Sequence, residues 1–435
     1  MKLSLDNLVA DSQERKLPDL VARRVAVPVA SGNALAILGM RRTGKTWFCF
    51  QRMQALLARG IPRDQMLYIN FEDERLLGFA ASDFQPLLDA FYRRNPGVLA
   101  TECHFFFDEI QNIEGWPQFV RRLLDNSKSQ VTVTGSSARL LGSEIHTSLR
   151  GRALPCEIFP FSFPEYVLAK GGVLPQRSPA SQVRLELEQM CDSYLRSGGF
   201  PGTLMLDPAT RRQMLQQYLD VVILRDVIER HGVTSVQALR ALVRHILHSP
   251  AGRLSVNKIY NDFRSRGLHC SKNGLHAFME HLADAYLIYP VPICTRNERV
   301  RRANPMRIYL VDTGLLSAAS TDLTADLGAL LENLVYLHIR RSGAVIEYFH
   351  AEQGVETDFV VRDPLSGAVQ ELIQVCWSLQ SEATRQRELR GLRAAMDALN
   401  CPHATIVTWR DQAPDFDNMP GIKIIPAWRY LLPAF

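Results

Sequence analysis

The chain has 435 residues, more than one hydrophobic core supports, so two or three domains are expected. Apolar residues make up 46% and charged residues 22%, ordinary for folded domains, and no run approaches the roughly 18 apolar residues of a membrane-spanning helix. The net charge of +5 is mild overall, but residues 253–307 hold ten Lys/Arg against four Asp/Glu, a local excess of six that suits a polyanionic partner.

In chain order, MKLSLDNLVADSQERK lacks the long apolar stretch and small-residue cleavage site of a secretion signal, so a cytoplasmic protein is expected. The first 30 residues read as a helix or extended arm. NALAILGM is then a short apolar run bounded by Gly, the pattern of a buried parallel strand. KTWFCFQRMQALLARG (helix), MLYINFED (strand), LLDAFYRR (helix), CHFFFDEI (strand), WPQFVRRLLDN (helix) and QVTVTGS (strand) continue a βαβα series. That alternation implies an α/β domain with a doubly wound parallel sheet.

GGVLPQRSP marks a composition shift, and the chain is helical from about MCDSYLRSGGFP to residue 250. Residues 255–290 read as two helices joined near Gly267 and followed by a strand. Strands VIEYFH, TDFVVRD and ELIQVCW, the helix RQRELRGLRAAMDALN and the strand ATIVTW form a second α/β unit over residues 344–409. The eight cysteines, from Cys49 to Cys401, contain no CxxC pair, so they are expected to be free thiols in a reducing compartment.

The chemistry is most legible in Gly39-Met40-Arg41-Arg42-Thr43-Gly44-Lys45-Thr46, followed by Trp47, which matches GxxxxGK[ST] between an apolar strand and a helix. Glycines let backbone N–H groups wrap phosphates at a helix N-terminus, Lys45 neutralises β- and γ-phosphate charge, and Thr46 is suited to Mg²⁺. FFFDEI places Asp108 at a strand end beside such a metal and Glu109 where it can orient or deprotonate water. Together they make ATP and Mg²⁺ the expected ligands. VTVTGSS offers Thr134 or Ser136 from a further strand end, and Arg150 and Arg152 in SLRGR are candidates to stabilise transition-state charge on a neighbouring subunit's nucleotide, which would require a homo-oligomer.

GMRRTGKTWF, FFFDEIQNIEGW, VTVTGSSARLL, SLRGR and IFPFSFPEY, with YLRSGGFP, YLDVVILRDVIERHGV, RIYLVDTGLL, LLENLVYLHIRR and ELIQVCWSLQSEATRQRELRGL, resemble bacterial and archaeal AAA-type ATPases that carry a C-terminal domain of unknown function. The resemblance runs from residue 32 onward. It implies an N-terminal arm (1–30), an AAA-type ATPase core (31–175), a helical and winged-helix region (176–320) and a restriction-endonuclease-like α/β domain (321–435). In nucleases of that last shape a helix Glu, a strand Asp and an (Asp/Glu)-x-Lys strand gather a divalent metal. The analogous positions here are Glu332, Asp358, Gln374 and Cys376, with Glu356 as an additional acid. A neutral amide and a thiol replace hard anionic ligands poorly, so an inactive site is expected.

The helix pair and strand of the middle region resemble a helix-turn-helix, and Arg296, Arg299, Arg301, Arg302 and Arg307 follow like a wing able to meet DNA phosphates. The favoured function is ATP hydrolysis coupled to conformational change, with DNA a candidate partner through 253–307. A nucleotide-switched nucleic-acid-binding regulator with slow turnover and an ATP-regulated nuclease remain as alternatives.

Overall fold

The computed structural model describes residues 5–28, 30, 32–98, 103–136, 149, 151–319, 327–351, 355–412 and 420–433. The chain divides at Phe159/Pro160 into two compact units, with Asp284–Tyr286 grouped with the first.

The first unit opens with helix α1 (Leu5–Glu14), after which residues 15–28 form no regular helix or strand, and β1 spans Ala34–Leu38. Then follow α2 (Lys45–Ala58), β2 (Met66–Asn70), α3 (Phe84–Arg94), β3 (His104–Asp108), α4 (Trp116–Asn126), β4 (Gln130–Gly135) and β5 (Ala153–Glu157). All five strands are parallel, in the order β2-β3-β4-β1-β5. β1 and β3 are buried along their whole length, which explains their unbroken apolar runs.

The FFFD segment shows how period-two alternation builds this unit. Phe106 joins the cluster of Phe48, Phe50 and Met53 from α2, while Phe105 and Phe107 pack edge-on against α3 and α4 aromatics, among which Phe84 and Phe119 stack in parallel at 4.0 Å. Two residues beyond Phe106, Asp108 therefore falls on the α2 face. Each buried phenyl contributes about 2 kcal/mol by area, so the alternation is strongly enforced. Helix α4 buries Trp116, Phe119, Val120, Leu123 and Leu124, the spacing of one helical stripe.

The second unit begins with α5 (Phe163–Ala169) and α6 (Ser181–Ser197), and α7 (Pro208–Val221) passes into a π-helical stretch, Val222–Glu229. After α8 (Val236–His248) come β6 (Arg253–Leu254), α9 (Val256–Ser265), α10 (Lys272–Asp284) and β7 (Ile288–Val291). Gly267, at φ +69°, turns the chain between α9 and α10. A short α11 (Glu298–Ala303) leads to β8 (Met306–Leu310), which completes an antiparallel sheet in the order β6-β8-β7.

Helices α12 (Thr313–Ala319) and α13 (Leu327–Arg340) precede a five-stranded mixed sheet. Its strands are β9 (Val345–His350), β10 (Glu356–Arg362), β11 (Val369–Cys376), β12 (Ala404–Thr408) and β13 (Ile422–Pro426), with α14 (Glu382–Leu399) between β11 and β12. The order is β13-β12-β11-β10-β9; β9, β10 and β11 are antiparallel, and β11, β12 and β13 parallel. Buried Asn333 on α13 accepts from the Leu310 N–H at 2.7 Å and donates to the Leu310 carbonyl at 3.0 Å, satisfying the end of β8. Gly391 lets α14 approach the Glu356 carbonyl so closely that any Cβ would collide with it.

The eight cysteines are free thiols, six of them buried. Among the described residues no helix is long and apolar enough to cross a membrane.

Candidate functional site

The loop between β1 and α2 has the backbone that its glycines require. Gly39 sits at φ +138° with the Ile158 carbonyl where a Cβ would be, and Arg42 and Gly44 take φ +69° and +100°. Successive residues of this kind turn N–H groups inward as an anion-binding concavity. Thr43, fully buried, donates from Oγ1 to the Met40 carbonyl at 2.9 Å and ties the loop to itself. Arg41 pairs with Glu72 at 3.1 Å, and Trp47 is 51% exposed on α2.

Lys45, the first residue of α2, donates from Nζ to the carbonyls of Gly39 (3.1 Å) and Met40 (3.3 Å) and stands 3.6 Å from Glu109 Oε1. Glu109 follows β3 in the left-handed region at φ +52°, a turn that points its carboxylate back toward Lys45, and Gln111 donates to its Oε2.

Asp108 is 1% exposed. Thr46 donates to its Oδ2 at 2.7 Å, Tyr68 donates to the same oxygen at 2.8 Å, and Thr134 donates to Oδ1. Burial pushes the carboxyl above its ordinary pKa, against the pull of the hydroxyls. Burial and the Asp108 charge push the Tyr68 phenol far above its ordinary value, so it stays protonated and donates. Thr134 Oγ1 also accepts from the Glu109 N–H at 2.9 Å, bridging the two acids.

The donor set fits Mg²⁺. A hydroxyl and a carboxylate already 2.7 Å apart, hard oxygens beside an inward-facing N–H loop and an ammonium, are what a phosphate-bound divalent cation takes.

Of the residues read from sequence, Gly39, Thr43, Gly44, Lys45, Thr46, Asp108 and Glu109 are gathered in one place. Thr134 is the β4 hydroxyl bonded to the acids, while Ser136 is fully buried just beyond β4. Arg152, near the start of β5, is half exposed and ion-paired with Asp125. Arg150 lies outside the described residues. Sequence reasoning missed Tyr68, Gln111 and Arg23. Arg23 is a buried arm residue whose guanidinium donates to the Thr43 carbonyl at 2.9 Å and to the Phe159 carbonyl, while Gln51 clasps its backbone at 2.7 and 3.1 Å. A single Arg in such an arm gives no local pattern to find.

The second unit holds another cluster, facing a cavity of about 670 Å³. Arg307, only 7% exposed, donates to Glu332, to Glu356 and, at 3.1 Å, to Asp358. Tyr309 donates to Glu332 at 2.7 Å, and the Val375 N–H to Asp358 at 2.8 Å. Gln374 donates to Glu388 at 2.7 Å, and burial raises the Cys376 thiol to about 11. The structure thus corrects the reading of five wing arginines open to phosphates. Arg307 is consumed by buried carboxylates, and Arg301 pairs with Glu347 at 2.7 Å, leaving Arg296, Arg299 and Arg302 exposed. Arg307 lies on β8 and so points into the unit, whereas the other four lie on the connection before it.

Residues 31–167 match the family model of an AAA domain, and residues 188–326 match a domain of unknown function, DUF8612. An uncharacterized protein, MJ1544, of Methanocaldococcus jannaschii is 31% identical over 442 residues, spanning 99% of this chain and 96% of that one. An uncharacterized protein of Haemophilus influenzae is 29% identical over 327 residues, 75% of this chain and 78% of its own. Among solved structures, the Walker-type ATPase paby2304 of Pyrococcus abyssi aligns with 72% of this chain and 94% of its own at 16% identity. Its TM-score is 0.38. With its AAA-type ATPase domain over residues 31–167, the chain belongs to the family of M. jannaschii MJ1544.

Proposed function

We propose that the chain binds ATP with Mg²⁺ on the Gly39–Thr46 loop and hydrolyses it, and that turnover drives conformational change in the second unit. One observation carries the reading: Lys45 stands 3.6 Å from Glu109 while Thr46 is bonded to Asp108 at 2.7 Å, so a cation for phosphate, a base for water and two oxygens for a metal converge.

The loop N–H groups, Arg41, Arg42 and Trp47 flank the nucleotide. Lys45 exchanges its loop carbonyls and Glu109 for β- and γ-phosphate oxygens, which frees Glu109 to orient and deprotonate water. Thr46 and Asp108 would hold Mg²⁺, which would supply neutralisation of phosphate charge during the displacement. Thr134 keeps Asp108 and Glu109 in fixed relation, with Ser136 behind it as a candidate sensor of the γ-phosphate. Arg150 or Arg152 acts in trans on a neighbouring subunit's nucleotide in a homo-oligomer, for which Arg152 must release Asp125.

For the second unit we read a helical and winged-helix region (176–320) and a restriction-endonuclease-like domain (321–435) that does not cleave. The antiparallel-then-parallel sheet supports the shape. Arg307, beside Gln374 and Cys376, supports inactivity, because a guanidinium already neutralises the acids that a metal would need. Exposed Arg296, Arg299 and Arg302 support DNA phosphate contact.

Phosphate release by the wild type and Glu109→Gln, with and without single- and double-stranded DNA and beside the solution mass, tests this. Turnover lost in Glu109→Gln with ATP binding retained is expected, and equal turnover in both proteins overturns the assignment. DNA cleavage abolished by Asp358→Ala would restore the nuclease alternative, and binding without turnover would favour the nucleotide-switched regulator.

A further inference from the structure

We infer that Tyr68 is a positioning residue for the metal-binding carboxylate, its phenol fixing the plane of Asp108 so that Oδ2 is presented beside Thr46. The inference rests on the proposed Mg²⁺-nucleotide site and adds to it a residue outside both sequence motifs.

A carboxylate at a strand end turns freely about its Cα–Cβ and Cβ–Cγ bonds, and two donors on opposite oxygens still allow it to tilt. At Asp108 a third donor removes that freedom. Thr134 takes Oδ1, and Tyr68 and Thr46 share Oδ2 at 2.8 and 2.7 Å. Thr46 belongs to the phosphate loop and is itself a proposed metal ligand, so it has to reorganise as the metal enters. Tyr68 belongs to the sheet and does not.

The placement of Tyr68 is over-determined. In the β2–β3 register it lies opposite Phe106, two residues before Asp108, so its side chain rises on the α2 face. The ring packs against Phe50 with centroids 5.0 Å apart, the Arg15 guanidinium lies 5.5 Å from the ring centre, and the Tyr68 N–H donates to Ser12 Oγ at 2.9 Å. A donor held this firmly transmits the geometry of the sheet to the carboxylate, which is how outer-shell groups orient metal ligands.

The test uses the full chain and a fluorescent ADP analogue, titrated without divalent ions and then with MgCl₂, for the wild type, Asp108→Ala and Tyr68→Phe. Tyr68→Phe keeps the ring and its contacts. Its affinity without metal should match the wild type, while the Mg²⁺ concentration that half-tightens binding rises roughly tenfold, the lower end of the loss expected for an outer-shell partner. A hydroxyl serving packing alone would shift the melting temperature and leave the Mg²⁺ midpoint in place, so an unchanged or lower midpoint overturns the inference. Tyr68→Met, apolar and without the hydroxyl, gives the same comparison should the Phe variant fold poorly. If Mg²⁺ fails to tighten ADP binding even in the wild type, the site reading itself fails. If the wild type tightens and Asp108→Ala does not, that reading stands and the Tyr68 result is judged alone.

Discussion

Asp108 and Asp358 are both buried strand aspartates, held by three and by two hydrogen-bond donors, yet their surroundings lead to opposite chemistry. Around Asp108 all three donors are neutral hydroxyls, from Thr46, Tyr68 and Thr134, so its negative charge is oriented but not cancelled. Around Asp358 one donor is the Arg307 guanidinium, which also serves Glu332 and Glu356. On the proposed reading a divalent cation has a role at the first site, while at the second a fixed side-chain cation already fills that role. The identity of the donors, more than that of the acids, would then distinguish a metal site from a structural ion cluster.

The sharpest way to break this contrast is to neutralise one acid in each place. Glu109→Gln should cut phosphate release by roughly a hundredfold or more, as loss of a general base does, while Glu332→Gln should leave it within about twofold. Equal losses in a steady-state phosphate assay would show that the second cluster takes part in turnover.

Next in size is Arg307→Met. It strands buried carboxylates without a counter-charge, which typically costs about 3–5 kcal/mol, read in urea unfolding of the full chain. An unchanged unfolding midpoint would mean that the carboxylates are neutral or solvated. The same variant sharpens the comparison further, because with the guanidinium gone millimolar Mn²⁺ should raise its melting temperature by more than it raises that of the wild type. Equal shifts would show that Arg307 does not stand in a cation's place.

A third effect is in pH. Burial, and then the charge of Asp358, push Glu332 up to about 8. A carboxyl raised on folding binds its proton more tightly in the native state. Its contribution is therefore complete below the unfolded value of about 4.3 and is lost as pH rises through about 8. Thermal melts between pH 5 and 9 should show wild-type stability declining, with a flatter profile in Glu332→Gln. Parallel profiles would place the titration elsewhere.

What could be read in advance follows from distance along the chain. Gly39–Thr46 and FFFDEI are contiguous, so loop, strand and acid pair are all visible in a few residues, and alternation alone puts Asp108 on the α2 face. The second sheet's strands and the turn at Gly267 were legible for the same reason. Tyr68 meets Asp108 across 40 residues through the β2–β3 register, and Arg307 meets Asp358 across 51 between two different sheets, pairings that no local pattern encodes. That is why a basic run suggested a wing while one of its arginines turned inward, and why Gln374 and Cys376 marked a changed site without revealing the cation at its centre.

Helix α1 has a further consequence, concerning solubility. β2 stands at the end of the first sheet, and Ser12 accepts the Tyr68 N–H there, while Asp6, Asp11 and Glu14 reach Arg93, Arg75 and Arg94 through exposed ion pairs. Such pairs hold weakly and loosen with salt. A chain trimmed before Arg15 would bare the flank of β2, whose unpaired backbone is a template for sheet-to-sheet association, so the helix acts as a guard against aggregation.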